Sequence, residues 1–174
     1  YLKQSNTGSG DAFGRSVAVS GDTVVVGAEG EDSSTTGVNG TPNEGALNSG
    51  AAYVFVRNGS DWQQQAFIKS SNPELNDNFG FSVAVSGDAV VVGAYNEDSS
   101  STGINSTPNE LATDAGAAYV FARTGTTWLQ QAYLKASNTG AGDVFGYDVD
   151  ISGRTIIVGA LNEDSSATGV NGNQ

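Results

Sequence analysis

The stretch Gly10–Ala28, GDAFGRSVAVSGDTVVVGA, decides the fold, because the chain writes it three times. It returns as NDNFGFSVAVSGDAVVVGA from Asn76 and as GDVFGYDVDISGRTIIVGA from Gly142. Phe13, Phe79 and Phe145 stand 66 residues apart (79−13 and 145−79), and Gly27, Gly93 and Gly159 keep the same register. The flanks keep step: Tyr1, Phe67 and Tyr133; Asp32, Asp98 and Asp164; Trp62 and Trp128. A fixed period of this size means one supersecondary unit repeated, with about 2.6 units in the chain. The predicted units are residues 1–66, 67–132 and a partial 133–174.

Within a unit, Phe13 to Ser20 predicts a half-buried strand, with Phe13, Val17 and Val19 on one parity. Ser20-Gly21-Asp22 supplies a tight hairpin turn, its glycine suited to positive φ. Thr23 to Ala28 follows as a strand whose unbroken Val24, Val25 and Val26 indicate burial on both faces. A long loop, 29–49, recurs as 95–114; loops of this length are usually functional. GAAYVFVR from Gly50 and GAAYVFAR from Gly116 give a third strand. The NGSD turn leads into a fourth, about Trp62 to Lys69, whose three glutamines suggest an outer edge. Four antiparallel strands per unit describe a β-propeller blade, so the expected fold is all-β.

The pattern FGxSVAVSGDxVVVGA followed by GAAYVF resembles the FG-GAP repeat, the blade of integrin α-subunit propellers and of many bacterial surface proteins. Phe13-Gly14 matches the FG element and Gly27-Ala28 the first two residues of GAP, and the likeness runs through the whole chain. The resemblance implies an extracellular recognition, adhesion or structural module. It also implies a D-x-D-x-D-G calcium loop between the first two strands, from which this chain departs. Here that connection is only VSGD or ISGR, too short to wrap six to eight oxygen ligands, and Asp22 and Asp88 give way to Arg154.

Seven basic against 19 acidic residues give a formal charge of −12. Nucleic acid and anionic membrane surfaces are therefore disfavoured as partners, and no apolar run is long enough for membrane insertion. The chain has no Cys and no His, which excludes disulfides, Ser-His-Asp and Cys-His catalysis, and His-ligated zinc. Only carboxylates remain for chemistry. Each notable acid recurs in every unit, as a structural role predicts, whereas propeller active sites draw on unlike blades. The expectation is a non-enzymatic protein; the alternative is a piece of a propeller enzyme whose catalytic residues lie outside this chain.

The densest oxygen donors are Glu31, Asp32, Ser33 and Asn39, with Glu97, Asp98, Ser99 and Asn105, and Glu163, Asp164, Ser165 and Asn171. Calcium takes such hard donors, and these loops are the candidate calcium sites. The competing reading is that they tie the loop down through Asx and Ser turns. The TGSGD and TGAGD stretches ending at Asp11 and Asp143 read as turns whose carboxylate accepts backbone N–H bonds before Phe-Gly. Tyr53, Phe55, Trp62, Tyr119, Phe121 and Trp128, at alternating strand positions, read as inter-blade packing rather than a stacking platform. Both chain ends fall inside a unit. The expected partners are thus further blades of a longer protein or other copies joined head to tail, beside a protein or glycan ligand.

Overall fold

The structure, a computed structural model, describes residues 1–169. They form ten strands and no helix. In the first unit these are β1 (Val17–Ser20), β2 (Thr23–Ala28), β3 (Ala51–Asn58) and β4 (Asp61–Ile68). The second holds β5 (Ser82–Ser86), β6 (Ala89–Ala94), β7 (Ala117–Thr124) and β8 (Thr127–Leu134), and the third β9 (Phe145–Ser152) and β10 (Thr155–Ala160). The sheets run β1-β2-β3-β4, β5-β6-β7-β8 and β9-β10, all pairs antiparallel, as expected of propeller blades.

The repeat sets the register. Val17 pairs with Val26 and Val83 with Val92, and the two-residue turns place Gly21, Gly87 and Gly153 at φ of 56°, 58° and 59°. The outer pair slips by one residue at the same place in each full unit, between Val54 and Phe55 and between Val120 and Phe121. That bulge releases Gln65 from the ladder, and its Oε1 accepts the Trp128 Nε1–H at 2.8 Å in the next unit.

The sheets stack face to face. One face of the first, with Ala18, Val25, Val54 and Ile68, meets Phe79, Val83, Val85 and Tyr119 of the second. Ala84, Val91 and Ala118 of the second meet Val149 and Ile151 of the third. Small residues make this approach close. Ser16 Oγ accepts the Val83 N–H and Ser20 Oγ the Gly87 N–H, and Ser86 Oγ repeats the latter contact with Gly153. Phe79 is fully buried, edge-on to Tyr119 and Phe121 with centroids 5.3 and 6.1 Å away.

Two strand-level expectations need correction. The Phe13–Ser20 strand begins only at Val17 in the first unit and its equivalent at Ser82 in the second, whereas the third copy starts at Phe145, although Val144 (φ 51°) and Gly146 (φ 89°) repeat the turn of Ala12 (φ 56°) and Gly14 (φ 99°). Nor do Val17 and Val19 belong to the core: they are 66% and 68% exposed, whereas Val83 and Val85 are buried. Parity identifies a sheet face but not whether another sheet covers it: on the outer face of the first sheet Leu2 and Phe13 cover Val26, Tyr53, Phe55 and Phe67, and no described strand covers Val17 and Val19. Trp62 differs from Trp128 for the same reason, 37% exposed against 1%.

Candidate functional site

The β2–β3 loop and its counterpart β6–β7 are each organised around a buried glutamate. Glu31 is 2% exposed, and its carboxylate accepts bonds from the Ser33 backbone N–H (3.1 Å), the Ser33 hydroxyl, Asn6 Nδ2 (2.9 Å) and Lys69 Nζ (2.8 Å). Lys69 ends β4 and is 1% exposed; it also donates to Ser49 Oγ at 2.8 Å. The second unit repeats the arrangement. Glu97 receives Lys135 Nζ at 2.8 Å, Asn72 Nδ2 at 3.0 Å and the Ser99 N–H at 3.1 Å, and the Tyr133 hydroxyl adds a bond of 2.7 Å. Such charges are tolerated inside only when paired and hydrogen-bonded, and these are. Burial pushes both lysine amines below their ordinary range, a shift their glutamate partners oppose.

The other nominated donors go elsewhere. Asp32 accepts the Asn48 N–H and Asp98 the Asp114 N–H, each at 2.7 Å, closing the loop just before β3. Asn39 and Asn105 take left-handed φ of 57° and 55°, and their side chains accept the Phe67 and Tyr133 N–H at 2.9 Å. They serve as strand partners to the ends of β4 and β8. Glu163 is exposed and accepts Asn138 Nδ2 at 2.8 Å and the Ser165 hydroxyl at 3.0 Å; Asp164 is also exposed, and Asn171 lies outside the described residues.

The structure therefore brings Glu, Ser, Asn and Lys together, and turns Asp32 and Asn39 away from them. A calcium ion needs six to eight oxygens converging on one point. Glu31 and Glu97 instead close on an ammonium, and the described residues hold no group of three or more acids placed to share a metal ion. As arranged, the nominated residues of the two full units do not fit calcium. The lysine was the missed member. Its signal was its recurrence at 3, 69 and 135, in step with Glu31, Glu97 and Glu163, inside an apolar strand end where a charge demands a partner.

The turn aspartates do what their spacing predicts. Asp11 accepts the Gly8 N–H at 2.7 Å, Asp77 the Glu74 N–H at 2.9 Å and Asp143 the Gly140 N–H at 2.7 Å. Asp11 gains a second bond from Gln4 Nε2; Ser70 holds the corresponding position in the second unit, and its buried Oγ has no partner. Burial pushes the Asp77 carboxyl up to about 8, a shift the Glu74 N–H opposes and Glu97 reinforces.

A concavity lies between the outer strands of the two full sheets. It is a groove of about 810 Å³ lined by Arg57, Gln63, Gln65, Trp128 and Gln130, among others, and no carboxylate reaches it. Its polar atoms are amides, hydroxyls and one guanidinium. A profile of the FG-GAP repeat matches residues 2–55, 62–121 and 128–173. Among curated proteins, none matches.

Proposed function

The chain belongs to the FG-GAP repeat family, and on that footing we propose that it is a non-enzymatic recognition or structural module of an extracellular or cell-surface protein. FG-GAP repeats generally serve as structural or recognition modules. One observation carries the non-enzymatic reading: the groove between β4 and β8 has amides and hydroxyls but no acid, while the buried glutamates are tied to lysines. Acid–base catalysis needs a titratable group within reach of a bound substrate, and neither place offers one. The groove suits an extended peptide or glycan, which its side-chain amides and hydroxyls bind without reacting. Titrating it with oligosaccharides and extended peptides, and following the Gln63, Gln65 and Gln130 side-chain amide resonances, tests this. Shifts with unchanged ligand support binding; turnover of any of them would show an enzyme.

The exposed Val17 and Val19 on the outer face of the first sheet support a second element of the reading, a further blade as partner. Within the chain, the residues that meet a Val-x-Val strand come from Ser16-x-Ala18-x-Ser20 and Ser82-x-Ala84-x-Ser86. Val17 and Val19 thus call for a strand of the Ser-x-Ala-x-Ser kind. The third unit presents Asp148-x-Asp150-x-Ser152 instead, with both acids exposed. Stacking copies head to tail would bury two carboxylates against valines, so a blade of another sequence fits better than a second copy. Among the described residues no helix is long and apolar enough to cross a membrane.

A further inference from the structure

The geometry points to a covalent cross-link within each full unit: an isopeptide bond between the Lys69 amine and the Asn6 side chain, and a second between Lys135 and Asn72, each promoted by the glutamate that holds the pair. An ion pair needs only an acid and a base. Here the second oxygen of each glutamate carries an asparagine amide, so amine and amide occupy adjacent oxygens of one carboxylate. The amide's own oxygen is in turn held by a phenol: the Tyr53 hydroxyl donates to Asn6 Oδ1 and the Tyr119 hydroxyl to Asn72 Oδ1, each at 2.8 Å. Nucleophile, base, electrophile and oxyanion donor are all present twice, in the same register.

The step balances without any added reagent. Glu31 takes a proton from Lys69 Nζ, and the neutral amine adds to Cγ of Asn6. Negative charge gathers on Oδ1, where the Tyr53 hydroxyl meets it. The glutamate returns the proton to Nδ2, the Cγ–Nδ2 bond breaks, and the departing ammonia takes the second proton from Nζ and leaves as ammonium, so one C–N bond replaces another with no change of net charge or oxidation state. Burial favours this chemistry at both ends. It lowers the lysine amines, which must be neutral to attack, and raises Tyr53 and Tyr119, which stay protonated as donors.

The bonds would join residue 6 to 69 and residue 72 to 135. Tension on the chain would pass through these links and bypass the sheet between each pair. Asn138 is a built-in control: it shares Glu163 as its homologues share theirs, but the three lysines of the chain are Lys3, Lys69 and Lys135 and none is spent there.

Intact mass of the full chain under denaturing conditions decides the matter. The expected mass is below the sequence mass by two ammonias, with branched tryptic peptides joining Asn6 to Lys69 and Asn72 to Lys135, and Asn138 unmodified. Lys135→Arg keeps the charge and cannot form the bond, so it should recover one ammonia and leave the first link in place; Glu97→Gln should do the same. The full sequence mass in folded wild-type protein overturns the proposal. So does ammonia loss that maps to linear peptides, such as a cyclised Asn58-Gly59.

Discussion

Gly27 lies against the backbone of Gly80: a Cβ on Gly27 would occupy the place of the Gly80 carbonyl oxygen. The Gly80 amide, for its part, bonds the Gly93 carbonyl within its own unit at 3.0 Å. The Phe-Gly of one sheet is thus seated on the Gly-Ala of the one before, and the contact recurs between Gly93 and Gly146. Side-chain-free backbone is what lets the sheets stack.

The third copy lacks this contact, since a Cβ on Gly159 meets only the Asp148 carbonyl, 3.7 Å away. Gly93→Ala should therefore destabilise the protein by about 2 kcal/mol or more, as overpacking does, while Gly159→Ala should be neutral or slightly stabilising. Denaturant midpoints for the two variants measure this. Equal effects would show that the sheets can part at no cost.

Phe79→Ala should cost about 3–5 kcal/mol, the range for a buried phenylalanine. Phe13→Ala should cost clearly less, because Phe13 keeps its edge contacts to Tyr53 and Phe55 yet is only half-buried. Chemical unfolding of both variants checks the order, and a Phe79 loss below about 1 kcal/mol would contradict the packing described.

Lys69→Met leaves Glu31 buried without the nitrogen that holds it and should cost about 3–5 kcal/mol, whereas Lys69→Met combined with Glu31→Leu should recover much of that loss. Calcium and chelator should leave the melting curve of the wild type unchanged, because the lysines occupy the glutamates. A calcium-dependent rise in the melting midpoint, lost in Asp98→Ala, would reverse that assignment.

Asp77 gives the protein a pH dependence of defined sign. Its folded pKa of about 8 lies above the ordinary 3.8, so the native state holds this proton where the unfolded chain releases it. The contribution is fully present below pH 3.8 and is lost as pH rises toward 8. Asp77→Asn keeps an acceptor for the Glu74 N–H and should flatten that fall and raise the melting temperature at pH 8. An unchanged pH profile would mean that Asp77 titrates normally.

Much of the fold was legible because the repeat displays each signal three times. The β2 boundaries, the glycine turns and the turn role of Asp11 follow from local chemistry that needs no neighbour. What escaped is relational. Val17 and Val83 have the same sequence surroundings and opposite exposure, since burial on that face depends on the next sheet. The acidic loops promised oxygen donors, but whether donors converge depends on where the backbone turns: Glu31 goes in, Asp32 along the loop and Asn39 to the strand edge. Asn6 and Glu31 lie in different segments, and only the closed unit brings them to one lysine.

The central claim is that the outer face of the first sheet is a blade interface of the kind found within the chain. It can be measured by placing a copy of residues 67–132 ahead of Tyr1, which preserves the 66-residue register. The added sheet would present Ser82-x-Ala84-x-Ser86 to Val17 and Val19. Repeat stability grows with each nearest-neighbour interface, so the account predicts a thermal midpoint higher by several degrees, one cooperative transition, and Trp62 emission shifted to the blue as its ring is covered. A second, independent transition for the added unit, with the midpoint and Trp62 emission of the original chain unchanged, would contradict it.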